Sequence, residues 1–227
     1  ILVCSPQNPS GRLWTKEELT RKGNICIDNG VKVVVDEIHS DLILTDREFV
    51  SFATISDKFA QNSIICTSPS KSFNVAGLLV SDIIIPNDEM RAAFQEKMQP
   101  YYLWPGAFGA VAQIAAYNES EEWLEELKEY LRGNAQFIAD FIQKRMPKVK
   151  SRIPEATYLG WLDFRAYGMT DQELWDFMCH KAKVATDDGP KFGPNGEAGG
   201  FQRINFSCPR AQLEEALNRI AEALDAL

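Results

Sequence analysis

A short β-branched run over residues 31–37 is the feature that most constrains what this chain can fold into. Its consecutive apolar positions are typical of a strand that is buried on both faces. Before it, Thr15 and Glu18 have the spacing of a capping box, which predicts a helix over residues 16–29. Residues 1–4 are again strand-like. The chain therefore opens as strand, helix and strand, the order that predicts a mostly parallel sheet covered by helices.

The pattern changes in the second half of the chain. Further elements are predicted as strands over residues 63–67 and 79–85 and as helices over residues 88–98, 107–117 and 119–146. Beyond these, strands over 158–164 and 201–207, a loop over 187–200, and helices over 170–183 and 209–227 predict a smaller α+β unit. We therefore expect part of a large domain over 1–118, a connecting helix over 119–147 and a small domain over 148–227.

Composition excludes several classes of partner. The net charge of −8 leaves no basic field for a phosphate backbone, so we expect neither a nucleic acid nor an anionic membrane, and a small metabolite fits better. The five cysteines are widely spaced and contain no Cys-x-x-Cys pair, which predicts neither a disulfide framework nor a metal site. Without a signal peptide or a membrane-length apolar run, the sequence predicts a cytoplasmic protein.

Lys71 follows Ser68-Pro69-Ser70 just after the strand predicted over residues 63–67. Taken alone, a lysine in a loop is more often simply solvated. The Ser68 and Ser70 hydroxyls could instead hold a phosphate, while partial desolvation would favour the neutral amine of Lys71, the form that attacks an aldehyde. This combination is what a lysine-bound aldehyde cofactor requires.

Asp36 ends the β-branched run, at the sheet edge where open α/β proteins bind ligands. A turn or N-cap aspartate is the commoner interpretation of this residue alone. A buried carboxylate there would need a cation, and a protonated pyridine nitrogen is one. By themselves, His39 is more often a structural hydrogen-bonding residue and Asn8 a turn former.

Together these residues form an ordered set of motifs. The set is Asn8-Pro9-x-Gly11, Asp36-x-x-His39, Ser68-x-Ser70-Lys71 with Phe73-Asn74-x-Ala76-Gly77-Leu78, and Arg203-Ile204-Asn205-Phe206. In motif, order and spacing it resembles the fold type I aminotransferases, and within them the cystathionine β-lyase branch often called the MalY/PatB family. The resemblance implies an α/β protein of the pyridoxal-5′-phosphate (PLP)-dependent transferase fold type I. Residues 1–118 would be the C-terminal portion of the PLP-binding large domain.

The same resemblance implies a role for each residue around the cofactor ring. Lys71 would carry PLP as a Schiff base and would then act as the catalytic base. Asp36 would pair with the pyridine nitrogen. Asn8 and His39 would lie near the phenolic oxygen, where His39 replaces the tyrosine of many aminotransferases.

Further residues are implied for the phosphate and the substrate. Ser68, helped by Ser70, would hydrogen-bond the phosphate. Arg203 would clamp the α-carboxylate of an amino-acid substrate, with Asn8 beside it. Arg210 is interpreted as structural.

The sequence departs from the family pattern in two respects. Leu79 stands where many relatives carry a phosphate-binding arginine eight residues after the lysine, although the lyase branch often lacks that arginine too. The family's amino-terminal portion, which supplies a Gly-rich turn, a stacking aromatic residue and a tyrosine, has no counterpart here. Because the chain begins inside a predicted strand, we expect a preceding segment that this sequence does not include.

The resemblance favours β-elimination from an L-cysteine S-conjugate such as cystathionine, which gives a thiol, pyruvate and ammonia. Transamination shares the removal of the α-proton by Lys71, so an aminotransferase remains an alternative. A truncated, non-catalytic or regulatory member is a third interpretation. The family also implies a homodimer for the full-length protein, and the aromatic segment 100–106 is equally compatible with a dimer interface and with core packing.

Overall fold

The computed structural model describes residues 1–193 and 195–227, which form two compact units. The first unit comprises residues 1–7 and 12–128, and the second comprises residues 8–11 and 129–227. The boundary between the units falls inside the helix Glu121–Arg145. The functional domain assignment made from the sequence stays a prediction.

The first unit is built on a mixed sheet that orders its strands as they occur in the chain. The strands are β1 (Leu2–Cys4), β2 (Val33–Asp36), β3 (Ser63–Thr67) and β4 (Asp82–Ile84). β1, β2 and β3 are parallel, whereas β4 is antiparallel to β3. The prediction of a mostly parallel sheet is confirmed. In the register of the strands, Asp36 lies opposite both Cys4 and Cys66, so the parallel strands end at one edge.

The helices of the first unit begin with the element that the capping box predicted. They are α1 (Lys16–Asp28), α2 (Asp57–Gln61), α3 (Pro69–Ser72), α4 (Asp88–Met98) and α5 (Ala107–Glu119). Thr15 Oγ1 accepts a hydrogen bond from the Glu18 amide at 3.2 Å, and Glu18 Oε2 accepts one from the Thr15 amide at 3.0 Å. Two of the otherwise unpaired groups at this helix end are thereby satisfied.

The core of the first unit packs α1 against the parallel strands. Its buried members are Val3, Leu19, Cys26, Val33, Val35, Phe52, Phe59 and Ile65. Each large side chain buried in this way contributes about 1.5–3 kcal/mol. Gly23 lets α1 come close to Phe59, because a Cβ at Gly23 would lie 2.5 Å from the Phe59 ring. The packing therefore depends on a glycine in the middle of the helix.

The second unit carries a separate antiparallel sheet in the order β5-β6-β8-β7. Its strands are β5 (Lys150–Ser151), β6 (Leu159–Asp163), β7 (Asp187–Asp188) and β8 (Phe201–Asn205). Its helices are α6 (Glu121–Arg145, shared with the first unit), α7 (Asp171–Asp176) and α8 (Arg210–Asp225). α8 buries Leu213, Leu217 and Leu224, which recur at helical spacing. None of the helices in the described residues is long and apolar enough to cross a membrane.

The structure differs from the predicted elements where local geometry breaks the pattern. The strand predicted over residues 79–85 shortens to β4, because a 3-10 turn (Ala76–Leu78) precedes it and Leu79 has a left-handed φ of 52°. The helix predicted over 170–183 continues α7 as a π-helical turn, Phe177–Ala182. The loop predicted over 187–200 contains β7 and a 3-10 turn, Gly189–Phe192, while Pro194 lies outside the described residues. Two-residue strands are too short for a periodic pattern to reveal them.

Candidate functional site

Five of the residues singled out from the sequence lie at or just beyond the carboxyl ends of β2 and β3. The ladder continues past the strand ends, since the Ser5 amide donates to Asp36 O at 2.9 Å and the Glu37 amide donates to Cys66 O at 2.8 Å. In a parallel sheet, the segments that follow neighbouring strands all begin at the same edge of the sheet. The first unit therefore brings the following residues to one edge: Asp36, His39, Ser68, Ser70 and Lys71.

Asp36 is exposed at the end of β2. Its Oδ1 accepts a hydrogen bond from the Ile38 amide at 3.1 Å, as a turn aspartate does. From the sequence alone, a buried carboxylate at this position would need a cation beside it. Asp36 is instead exposed, so burial does not require a cation here. The adjacent thiol of Cys66 has its pKa raised, first by burial and then by the negative charges of Asp36 and Glu37. Asp36 thus presents an accessible carboxylate at the sheet edge.

The turn that carries His39 is fixed by its neighbour, Glu37. The Glu37 carboxylate is buried, and its Oε1 accepts hydrogen bonds from Ser51 Oγ at 3.1 Å and from the Phe52 amide at 2.9 Å. Burial raises the pKa of Glu37, and the two hydrogen bonds oppose that rise. His39 itself is buried, and its carbonyl accepts from the Leu42 amide at 3.0 Å. The imidazole is therefore held on a tight turn rather than on a free loop.

The two serines before Lys71 have different environments. Ser68 is buried and caps α3, since its Oγ accepts from the Ser70 amide at 3.1 Å and donates to Val80 O at 2.6 Å. The two hydroxyl oxygens are 2.6 Å apart. Because the Ser68 proton is already directed to Val80, the proton between the hydroxyls comes from Ser70. A phosphate would therefore compete with internal bonds at both serines, and the half-buried Ser70 is the more accessible one.

Lys71 is half-buried on α3, and the residues after it hold that short helix in place. Ser72 is fully buried and its Oγ donates to Asp41 Oδ2 at 2.7 Å. The Phe73 ring packs edge-on against Tyr117 at 5.5 Å and stacks on Trp123 at 6.2 Å between ring centroids. The backbone that presents the amine is thereby anchored by one charge-assisted hydrogen bond and two aromatic contacts.

Two residues of this neighbourhood were missed from the sequence. Asp41 accepts the Ser72 hydrogen bond, and Tyr117 lies near both Asp41 and Asp82. Burial and then these two carboxylates raise the pKa of Tyr117 to about 12, so its phenol stays protonated at neutral pH. Asp41 follows Asp36 by five residues and was not singled out as a site residue from the sequence. Tyr117 lies on α5 and carried no local signal.

In the second unit, Arg203 and Asn8 lie in direct contact. Arg203 Nη1 donates to Asn8 Oδ1 at 2.8 Å. Two residues that lie 195 positions apart in the sequence, and that were both predicted to bind the substrate, are therefore in contact. The other side of the guanidinium meets a residue that sequence reasoning missed, because Nη2 donates to Asp187 Oδ2 at 2.6 Å. The guanidinium carbon also lies 4.7 Å from the centroid of the Phe192 ring.

Arg210, the second arginine of the motif, is tied to the scaffold of its unit. Its Nε donates to Asn134 Oδ1 at 2.7 Å, and the Asn134 amide nitrogen donates to Phe206 O at 2.8 Å. The guanidinium also lies over the Phe137 ring, 4.6 Å from its centroid. These contacts give Arg210 a structural environment that differs from the environment of Arg203.

Comparison with known families matches residues 1–220 to the one described as aminotransferase class I and II. The chain belongs to this family. The match covers both units, including every motif residue from Asn8 to Arg203. The family resemblance inferred from the motifs is confirmed.

Individual relatives of this family member point to the same branch. The chain is 46% identical over 225 residues to cystathionine β-lyase PatB of Bacillus subtilis, covering 99% of the chain and 58% of PatB. It is 34% identical to protein MalY of Escherichia coli, covering all of the chain and 57% of MalY. Cystalysin from Treponema denticola, whose crystal structure contains PLP, superposes with a TM-score of 0.95 at 36% identity, over 99% of the chain and 57% of cystalysin. The predicted fold type and branch are confirmed, and the chain spans less than three fifths of each relative.

Proposed function

We propose that this family member binds PLP and catalyses β-elimination from L-cysteine S-conjugates such as cystathionine, releasing a thiol, pyruvate and ammonia. The observation that carries the proposal is the position of Lys71, half-buried on an anchored turn at the same sheet edge as Asp36. The 46% identity to a protein named cystathionine β-lyase supports the reaction type.

The chemistry of the donor set fits PLP. The cofactor requires an amine for its aldehyde, a carboxylate for its ring nitrogen and hydrogen-bond donors for its phosphate. The edge of the first sheet offers these groups in Lys71, Asp36 and Ser70, with Ser68 and His39 beside them. We therefore propose that these residues hold the cofactor, and that Asn8 and Arg203 serve its ring oxygen and the substrate.

The residues of this chain would divide the work of the elimination. When bound, PLP supplies an aldehyde that an amine can attack and a ring that accepts the electron pair left on the substrate's α-carbon. Lys71 Nζ would take the proton from the α-carbon, and the sulfur would leave the β-carbon with the electron pair of the C–S bond. One water molecule would then hydrolyse the remaining fragment to pyruvate and ammonia. Asp36 keeps the ring nitrogen protonated through its negative charge. Arg203 would hold the α-carboxylate of the substrate in a bidentate ion pair.

The replacement Lys71→Ala tests the proposal directly. In the full-length protein it should reduce the release of pyruvate and thiol from cystathionine to background, and it should remove the visible absorbance that borohydride abolishes. Lys58→Ala, at an exposed lysine of α2, is the matched control and should change neither property. A Lys71→Ala protein that keeps both properties would sink the assignment.

Product analysis separates the lyase from the aminotransferase. A lyase forms pyruvate and a free thiol in equal amounts without a second substrate. An aminotransferase forms a 2-oxo acid that keeps the sulfur, and only when an amino-group acceptor is supplied. Finding only the second set of products would favour the aminotransferase, the activity after which the matching family is named.

We also propose that the full-length protein is a homodimer in the cytoplasm. Large apolar side chains around the start of α5 are exposed in the first unit, from 60% for Leu103 to 85% for Phe108. This aromatic surface consists of Tyr101, Tyr102, Leu103, Trp104 and Phe108. Contiguous apolar surfaces of this kind are typical of interaction sites. The five free cysteines support a reducing compartment.

Light scattering after size-exclusion chromatography tests the dimer. The full-length protein should elute as a dimer, and Phe108→Glu on the aromatic surface should shift it towards the monomer by placing an unpaired charge in the contact. Ile153→Glu, at an exposed apolar residue of the second unit, should leave the mass unchanged. The 227-residue chain by itself should aggregate, so a monodisperse 25.6 kDa monomer would contradict this interpretation of the surface.

A further inference from the structure

The Arg203 guanidinium is already paired with a carboxylate of the same chain, that of Asp187. Asp187 Oδ2 accepts hydrogen bonds from Arg203 Nε at 3.2 Å and from Nη2 at 2.6 Å, while Nη1 is directed to Asn8. The register of the sheet causes this contact, because Asp187 on β7 lies directly opposite Arg203 on β8. The chain thus supplies, from its own sequence, the chemical group that a substrate carboxylate would bring.

The Asp187 carboxylate is held in a way that allows exchange. β7 contains two residues and lies at the edge of its sheet, so few backbone bonds fix it. The Asp187 side chain is 45% exposed, whereas that of Arg203 is 20% exposed. The other carboxylate oxygen, Oδ1, lies 3.9 Å from Lys191 Nζ, which offers a second cation when Arg203 is taken. A partly exposed ion pair of this kind contributes little stability, so a ligand can replace it.

We infer that Asp187 is an internal competitor for the carboxylate site of Arg203. This inference rests on the proposed role of Arg203 in binding the substrate. A ligand carboxylate must displace Asp187 from the guanidinium before it binds, and the displaced side chain turns towards Lys191. Asp187 therefore weakens the binding of every carboxylate ligand by the free energy of its own ion pair.

The direct test is Asp187→Asn in the full-length protein loaded with PLP. The probe is 3-(methylthio)propanoate, which has the carboxylate and the sulfur of a substrate but no amine, so it cannot bond to the cofactor. Titration calorimetry should give a Kd lowered by about two- to fivefold in Asp187→Asn, the range that an exposed ion pair accounts for. Asp188→Asn is the matched control, since this neighbouring carboxylate accepts from Gln202 Nε2 at 2.8 Å instead, and its Kd should equal that of the parent protein.

A second pair of variants locates the effect. When Arg203→Lys is added to the parent protein and to the Asp187→Asn variant, binding should weaken in both. The difference in Kd that Asp187→Asn causes should also shrink, because the two residues act on each other.

If Arg203→Lys leaves the probe Kd unchanged, the proposed role of Arg203 fails. If Arg203→Lys weakens binding but Asp187→Asn and Asp187→Ser both leave the Kd unchanged, the competitor inference alone is overturned. Two variants at Asp187 are used so that misfolding of one does not remove the test.

Discussion

The two units hold their candidate groups by different means. In the first unit, Asp36 ends one parallel strand and Lys71 follows the next, and main-chain bonds together with the buried Ser72 hydroxyl fix their positions. In the second unit, Arg203 lies within an antiparallel strand, and the side chains of Asp187 and Asn8 orient it. A group fixed by the backbone keeps its place when a ligand arrives, whereas a group oriented by side chains can exchange those partners for a ligand.

The units also differ in the polar groups that they bury. The first unit buries the ionisable side chains of Glu37 and His39, while the second buries the neutral amides of Asn134 and Gln202. Both amides are hydrogen-bonded, Asn134 to Phe206 O and Gln202 to Thr186. A buried carboxyl makes stability depend on pH, and a buried amide does not. The comparison therefore predicts distinct responses to mutation and to pH.

Paired core truncations should have the largest effect on this comparison. Leu19 on α1 and Leu217 on α8 are both fully buried, one in each unit. Replacing either with alanine removes buried methyl groups and leaves a cavity, which should cost about 2–5 kcal/mol in the free energy of unfolding. If the cores are separate, Leu19→Ala shifts only the transition of the first unit and Leu217→Ala only that of the second. Urea unfolding, monitored by hydrogen exchange of β2 and β8 amides, distinguishes the two.

Exposed leucines provide the controls for this experiment. Leu2 and Leu227 are 82% and 72% exposed, so alanine at either position should change the unfolding free energy by less than about 0.5 kcal/mol. A single shared transition that both core variants shift equally would break the comparison. The chain would then unfold as one cooperative body.

The sequence predicted the first unit better because its information is local. The Thr15 capping box, the β-branched strand and the Ser-x-Ser before Lys71 each lie within a few residues of the feature that they specify. The register of parallel strands then brings the strand ends together without further information. What the sequence did not predict in this unit is the environment of the side chains. Neither the exposure of Asp36 nor the hydrogen bond from Ser68 Oγ to Val80 O follows from the order of the strands.

The second unit was less predictable because its key contact is not local. Arg203 was singled out by its motif, but Asp187 is its partner only because β7 pairs with β8 in the order β5-β6-β8-β7. A two-residue strand leaves no alternation in the sequence, so the pairing could not be predicted from the pattern. The continuation of α7 as a π-helical turn was missed for a similar reason, since the same apolar periodicity suits an α-helix.

A smaller effect, confined to the first unit, should follow from the replacement Glu37→Gln. Burial raises the pKa of Glu37 above its ordinary value of 4.5, so the folded protein binds this proton more tightly than the unfolded chain does. The stabilisation is therefore fully present below pH 4.5 and is lost as the pH rises through the higher folded pKa. Glutamine cannot titrate, and its Oε1 can still accept from Ser51 and the Phe52 amide.

The free energy of unfolding of the Glu37→Gln variant, measured relative to the parent protein, should therefore rise with pH across that window. Only the transition assigned to the first unit should move, because Glu37 and its partners Ser51 and Phe52 all lie in that unit. Urea unfolding at a series of pH values from 4 upwards, about one unit apart, measures the difference. A difference that stays constant with pH would show that the hydrogen bonds from Ser51 and Phe52 cancel the cost of burial. A shift in the second unit's transition would instead show that the two cores are coupled.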